Sequence, residues 1–136
     1  MASLKLGLLL STPPSHPSVE TVVQLARAAL QRGVEVYLYL IDEGVTTVVD
    51  RRYLGLIDDG VKMSVCAYGC QRHGVLTTTV DSRVSLSGLV VLSGIIDGCD
   101  RFLALHKKLL LFRLIFYVET HCCGDFRRSF RYGSSC

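Results

Sequence analysis

Two cysteines in the middle of the chain, Cys66 and Cys70, are the residues best suited to covalent chemistry. An ionised, reachable cysteine is a nucleophile that can attack a sulfane sulfur and hold it as a persulfide. Cys66 stands between a predicted strand and a predicted helix that ends at Gly74. Free N–H groups and the helix dipole at such a junction favour the thiolate. The alternative is a buried, inert thiol, because free cysteine is among the most buried residue types.

Cys70 follows Cys66 by four residues and so shares its helix face, with Cβ atoms roughly 5–6 Å apart. A disulfide needs Cβ atoms about 3.5–4.5 Å apart. A bridge would therefore require the first helical turn to distort, which Gly69 would permit. Two interpretations stay open: Cys70 assists or resolves chemistry on Cys66, or it only packs.

Two histidines are further candidates. His73 lies about 10 Å from Cys66 along a helix axis, too far to act as its base, so we expect it to cap the helix end. His16 follows the first predicted strand and could approach Cys66 from the side; a solvated loop histidine is the alternative. The loop 11–15 lacks the glycines of a phosphate-binding fingerprint, so we expect no nucleotide and no cofactor.

The end of the chain carries the other candidates, His121, Cys122, Cys123 and Cys136. Adjacent cysteines suit tetrahedral ligation poorly, and no C-x-x-C spacing occurs, so we expect no metal site. Residues 106–136 carry six Lys and Arg against two Asp and Glu, so the excess positive charge lies there. Aromatic residues among these arginines could contact nucleic acid, but we favour a solvated end and expect no nucleic-acid partner.

Strands and helices alternate along the rest of the chain. Apolar runs predict strands at 4–10, 34–41, 61–65, within 77–85, and at 101–105. Helical periodicity predicts helices at 19–30, 45–57, 66–73 and 89–99. Alternation of this kind is typical of an α/β protein whose parallel sheet has helices on both faces.

The helix ends and faces give more specific expectations. Ser15 or Ser18 is expected to cap the first helix, and Ser87 the last. In the last helix an apolar face is expected from the spacing of Leu89, Leu92, Ile96 and Cys99.

Bulk properties bound the class of protein. With 136 residues, the chain has the size of one domain, which can bury a core without disulfide bonds or metal ions to stabilise it. Its mean hydropathy of +0.37 predicts self-association. Neither apolar run, 6–10 or 109–118, is long enough for an export signal or a membrane span. Six cysteines without an export signal indicate a reducing, cytoplasmic location.

Three segments, 64–75, 84–89 and 99–103, give the chain a resemblance to the DsrE/DsrF family of sulfur-trafficking proteins. In that family the active cysteine lies eight residues before an R-[RH]-G-[VI]-like glycine, and Cys66 lies eight before Gly74. The middle third is similar to the TusD/DsrE subunit type. The resemblance implies a three-layer α/β/α sandwich with a mostly parallel five-stranded sheet, assembled into homotrimers or hexamers.

The resemblance also implies a persulfide on Cys66, taken from a sulfur donor protein and passed to an acceptor protein, as by a sulfurtransferase-like carrier. We therefore predict a sulfur-relay domain at 1–105, with Cys66 and Cys70 as site residues, and an extension of unknown role at 106–136. Two alternatives are a non-catalytic subunit of such an oligomer, and a thiol-disulfide redox protein using Cys66 and Cys70.

Overall fold

Five strands and four α-helices alternate along residues 3–107, which are the residues described by the computed structural model. The strands are β1 (Lys5–Leu10), β2 (Glu35–Leu40), β3 (Lys62–Cys66), β4 (Ser85–Ser87) and β5 (Arg101–Leu105). The helices are α1 (Ser18–Gln31), α2 (Arg51–Asp58), α3 (Ala67–Arg72) and α4 (Leu89–Gly98), with 3₁₀ segments at Asp42–Val49 and Thr77–Thr79. Except for its first two residues, the predicted extension 106–136 lies outside the described residues, as do His121, Cys122, Cys123 and Cys136.

The strands form one sheet in the order β4-β3-β2-β1-β5, and every neighbouring pair is parallel. Parallel strands require crossover connections, which are right-handed. The first three crossovers step in one direction and so place their helices on one face. The connection through α4 returns across the sheet and lies on the other face. The predicted three-layer α/β/α architecture with a five-stranded sheet is confirmed.

The core lies mainly between the sheet and α1. Alternate residues of β1 and β2 face α1 and are buried there: Leu8, Leu10, Val36, Leu38 and Leu40. They pack against the apolar stripe of α1, formed by Val19, Val22, Val23 and Ala26. On the other face Gly7 lies under α4, since a Cβ at this position would stand 3.0 Å from the Ile95 side chain.

The predicted helix 45–57 is interrupted. Residues Asp42–Val49 form a 3₁₀ segment, and α2 begins only after Asp50. The side chain of Asp50 accepts a hydrogen bond from the N–H of Arg52 at 2.9 Å, so it caps α2. A cap residue inside an apolar periodicity starts a new helix, because its own backbone is extended.

The predicted serine caps are wrong. Pro17 occupies the cap position of α1, and no side chain caps the helix there. Ser18 is already helical, and its N–H is donated to Nδ1 of His16 at 3.2 Å. Gly88 occupies the cap position of α4, again without a side-chain cap, which leaves Ser87 as the last residue of β4.

The buried side of α4 agrees with the prediction only in part, since Leu92 and Cys99 pack against the core. Ile95 is the buried residue of this helix, whereas Leu89 and Ile96 are 62% and 46% exposed. Almost every residue of α4 is apolar, so periodicity could not distinguish its inner face from its outer face. Among the described residues, no helix is long and apolar enough to cross a bilayer.

Candidate functional site

The carboxyl ends of the parallel strands meet at one edge of the sheet, where ligand sites of open α/β sheets form. Cys66 is the last residue of β3, and Ser87 is the last residue of β4. The two residues are Cα partners in the β3–β4 ladder. Residues paired in this way point to the same face, so the two side chains stand next to each other.

A cavity of about 610 Å³ opens at this edge. Its walls are formed by the ends of β2, β3 and β4 and by the starts of α3 and α4. The lining residues are Ile41, Asp42, Cys66, Ala67, Tyr68, Gly69, Arg72, Ser87, Gly88 and Leu89. Cys66 is 5% exposed, so its side chain is mostly enclosed but borders the cavity.

A close turn holds the sulfur of Cys66. The N–H of Gly69 donates a hydrogen bond to Sγ of Cys66 at 3.4 Å. A Cβ at position 69 would lie 2.8 Å from a methyl carbon of Val45, so only glycine lets this turn pack as closely. Because α3 has only six residues, the donor that faces the sulfur is this N–H rather than the end of a long helix dipole.

Cys70 lies in the core next to the site. Its side chain is fully buried and is not among the residues that line the cavity. Burial raises the pKa of the Cys70 thiol, and the charge of Cys66 raises it further. The structure thus favours a neutral thiol at Cys70, and an assisting role for it stays a prediction. The three cysteines of the described residues are all free thiols.

Tyr39 is a site residue that the sequence analysis did not single out. It is fully buried in β2, and its hydroxyl donates a hydrogen bond to the backbone oxygen of Ser87 at 3.4 Å. Burial raises the pKa of Tyr39, and the neighbouring Cys66 raises it further. The phenol hydroxyl therefore lies beside both Ser87 and Cys66.

Ser87 presents a second hydroxyl at this edge. The residue is 9% exposed, and its Oγ finds no hydrogen-bond partner within the described residues. The sequence pattern did indicate a role for Ser87, but as the cap of the last helix rather than as a site residue. For Tyr39 no signal existed, because its position relative to Cys66 depends on how β2 and β3 pair.

Neither predicted histidine lines the cavity. Nδ1 of His16 contacts Oγ of Ser18 at 2.8 Å, at the start of α1. Nε2 of His73 lies 3.1 Å from Oδ1 of Asp42, so this side chain joins the end of α3 to the loop after β2. Within residues 3–107, no three side chains come together as a metal site.

Comparison with known proteins identifies the family. Residues 5–105 match the DsrE/DsrF-like family. The chain belongs to this family. Among the described residues, only residues 3, 4, 106 and 107 lie outside this match. A search of curated proteins found no significant match.

Solved structures similar to this DsrE/DsrF-like chain share its fold. The YchN protein of E. coli superimposes with a TM-score of 0.66 at 17% identity, covering 76% of this chain and all of its own. A conserved protein of unknown function from Bacteroides thetaiotaomicron gives 0.63 at 16% identity, covering 74% and 94%. A protein of unknown function from Methanobacterium thermoautotrophicum gives 0.62 at 14% identity, covering 76% and 100%.

Proposed function

We propose that the protein is a sulfur carrier, which accepts a sulfane sulfur on Cys66, holds it as a persulfide and passes it to a partner protein. One observation carries the proposal: Cys66 borders a cavity of about 610 Å³ while its sulfur accepts the N–H of Gly69. A nucleophilic sulfur needs access for the incoming group and a donor for its charge. Membership of the DsrE/DsrF-like family supports the same role.

The transfer step conserves atoms and electrons. The thiolate of Cys66 attacks the outer sulfur of a donor persulfide, R–S–S–H. The bond from Sγ to that sulfur forms, the donor S–S bond breaks, and its electron pair leaves with the donor thiolate, R–S⁻. The products are Cys66–S–S–H and R–S⁻, so no external oxidant or reductant is consumed. The reverse step, on an acceptor thiolate, delivers the sulfur.

Delivery requires contact with other protein molecules. We propose that a sulfur donor protein and an acceptor protein reach Cys66 through the cavity, while further copies of this chain pack on the apolar surface of α4. Leu89 lines the cavity and is 62% exposed, and Val90 next to it is 86% exposed. Exposed apolar patches mark interaction sites. A homotrimer or hexamer working in the reducing cytoplasm is the assembly that we propose.

Mass spectrometry after incubation with glutathione persulfide tests the proposal. We expect the intact mass to rise by one sulfur atom, and cleavage after Lys62 and Arg72 to locate this sulfur on the peptide 63–72. Fragmentation of this peptide separates Cys66 from Cys70. The adduct should be absent from that peptide in Cys66→Ser and present in the matched variant Cys70→Ser. A wild-type peptide that gains no sulfur would sink the proposal.

The low exposure of Cys66 favours one other candidate, a non-catalytic subunit whose thiols only pack. Native protein treated with iodoacetamide distinguishes the two. A sulfur carrier is alkylated at Cys66 before Cys70, whereas a packing subunit leaves both unmodified until it unfolds. The thiol-disulfide alternative is less well supported, because burial raises the pKa of Cys70.

A further inference from the structure

We propose that the hydroxyls of Tyr39 and Ser87 are hydrogen-bond donors to the anionic sulfur on Cys66, so that neighbouring strands stabilise the thiolate and the persulfide on β3. The persulfide part of this inference rests on the proposed function. The thiolate part can be tested without sulfur transfer.

The order of the strands in the sheet places the Tyr39 side chain across the end of β3, where Cys66 lies. The strand β3 lies between β2 and β4. A hydroxyl that leaves β2 and reaches the backbone oxygen of Ser87 on β4 must cross β3, and neighbouring strands are about 4.8 Å apart. Tyr39 pairs with Ser64, two residues before Cys66, and so points to the face that carries Cys66. The phenol thus lies over the end of β3.

Ser87 supplies the second donor. Its pairing with Cys66 in the ladder puts the two side chains next to each other on one face. The buried Oγ has no hydrogen-bond partner among the described residues, although it borders the same cavity. A buried hydroxyl without a partner costs free energy, and in native proteins such a group calls for an explanation. A negative sulfur on Cys66 provides an acceptor for it.

The three hydrogen-bond donors differ in how freely their hydrogens can turn toward a charged sulfur. The N–H of Gly69 has a fixed direction and contacts Sγ itself. A hydroxyl hydrogen rotates, so Ser87 can follow the charge from Sγ to the outer sulfur of a persulfide, and Tyr39 can do so by turning its single hydrogen away from the backbone oxygen of Ser87. An anion in a mostly apolar cavity is costly unless it is hydrogen-bonded, and hydrogen bonds to a charged acceptor are the strong ones. The hydroxyls would therefore raise both thiolate content and persulfide load.

Two conservative variants and two matched controls test the inference. Tyr39→Phe and Ser87→Ala each remove one hydroxyl beside Cys66. The controls Tyr37→Phe and Ser85→Ala remove the same group two residues earlier on the same strand and face. Tyr37 bonds to Glu35 and Lys62 at the opposite end of the strands. Thermal unfolding of all four variants establishes that each is folded.

The first measurement is the rate of iodoacetamide alkylation at Cys66 as a function of pH. Tyr39→Phe should slow alkylation at neutral pH about three- to tenfold and move the midpoint of the pH–rate profile upward, because the thiolate loses a donor. Both controls should match wild type. Other titratable groups near the sulfur are unchanged in these variants: Cys70 in the core, and Asp42, Tyr68 and Arg72 along the cavity.

The second measurement is the fraction of Cys66 loaded by glutathione persulfide. Ser87→Ala should lower this fraction about tenfold, and Ser87→Thr, which keeps a hydroxyl, should restore it. Loading and pH profiles equal to those of the controls would overturn the inference while leaving the sulfur carrier intact. If wild-type protein takes up no sulfur, the proposed function fails. The alkylation profile then still decides whether Tyr39 and Ser87 act on the thiolate.

Discussion

Cys66 depends on Gly69, three residues later in the same turn. The sulfur accepts the N–H of Gly69, and Val45 packs against the space that a side chain at position 69 would need. Gly69 thus provides both the close packing of this turn and the hydrogen-bond donor to the sulfur. Tyr39 and Ser87 come from two other strands, and the ladder places Ser87 beside Cys66.

Gly69→Ala tests this dependence. The added Cβ would stand 2.8 Å from a methyl carbon of Val45, so the turn must move, and we expect a loss of about 1–3 kcal/mol in the free energy of unfolding. Alkylation of Cys66 at neutral pH should also change. Urea unfolding gives the stability. The matched variant is Gly94→Ala in α4, where nothing lies within 4 Å of the added Cβ.

In the matched variant we expect a gain of about 0.5–1 kcal/mol, because alanine favours the helix interior. A loss of stability of the same size in both variants would show that close packing at position 69 does not matter.

The connection between β2 and β3 is built from two helical elements, and Asp50 separates them. Its carboxylate accepts the N–H of Arg52 at 2.9 Å and pairs with the guanidinium of the same residue at 2.8 Å. The hydrogen bond from the Arg52 side chain holds the pKa of Asp50 below its usual range. This cap fixes where α2 begins. The cap thereby sets where the 3₁₀ segment Asp42–Val49 ends. This segment places the Val45 side chain against Gly69.

Asp50→Ala should destabilise the protein by about 0.5–2 kcal/mol at neutral pH, which is the usual cost of losing a helix cap. A carboxyl whose pKa is lowered by folding stabilises the folded state above its unfolded pKa of about 3.9. The difference between wild type and variant should therefore shrink as the pH falls below about 3.9. Denaturant unfolding at several pH values measures it.

Asp97→Ala serves as the control, because within residues 3–107 Asp97 takes part in no cap and no ion pair. We expect it to leave the unfolding free energy nearly unchanged at every pH. A difference between wild type and Asp50→Ala that stays constant down to acidic pH would contradict a role for the ionised cap.

Within residues 3–107 the two faces of the sheet are covered unequally. Three crossovers place their helices on one face, and α4 is the one described helix on the other. Its outward residues Leu89, Val90, Val91 and Ile96 are apolar and exposed. An exposed apolar patch fits the assembly that we propose, because a neighbouring copy of the chain would remove this patch from water.

Val90→Glu should disrupt that assembly. Val90 is 86% exposed, so a charge there costs little in a monomer but must be desolvated in an interface. Sedimentation velocity should show wild type as an oligomer and Val90→Glu mainly as a monomer. Gln31→Glu adds the same charge at an exposed position of α1 and should leave the oligomer intact. Monomeric wild type, or oligomeric Val90→Glu, would contradict this assembly.

Much of the fold was predictable from local pattern. The strand predicted at 101–105 is β5 residue for residue, and Gly74 follows α3 with a positive φ, as a helix-ending glycine does. Where several signals overlapped, prediction failed. Asp50 interrupted an apolar periodicity, and large apolar residues lie on several sides of α4, so its buried side at Ile95 could not be identified.

The sequence by itself determined the α/β class, the order of the elements and the position of Cys66 at the end of a strand, because apolar runs, helical periods and glycines are local properties. Only the tertiary structure decided that Tyr39 and Ser87 lie beside Cys66 while His16 does not. The reason is that the register between parallel strands is set by packing across crossovers. A residue far away in the chain therefore becomes a neighbour only when the sheet has formed.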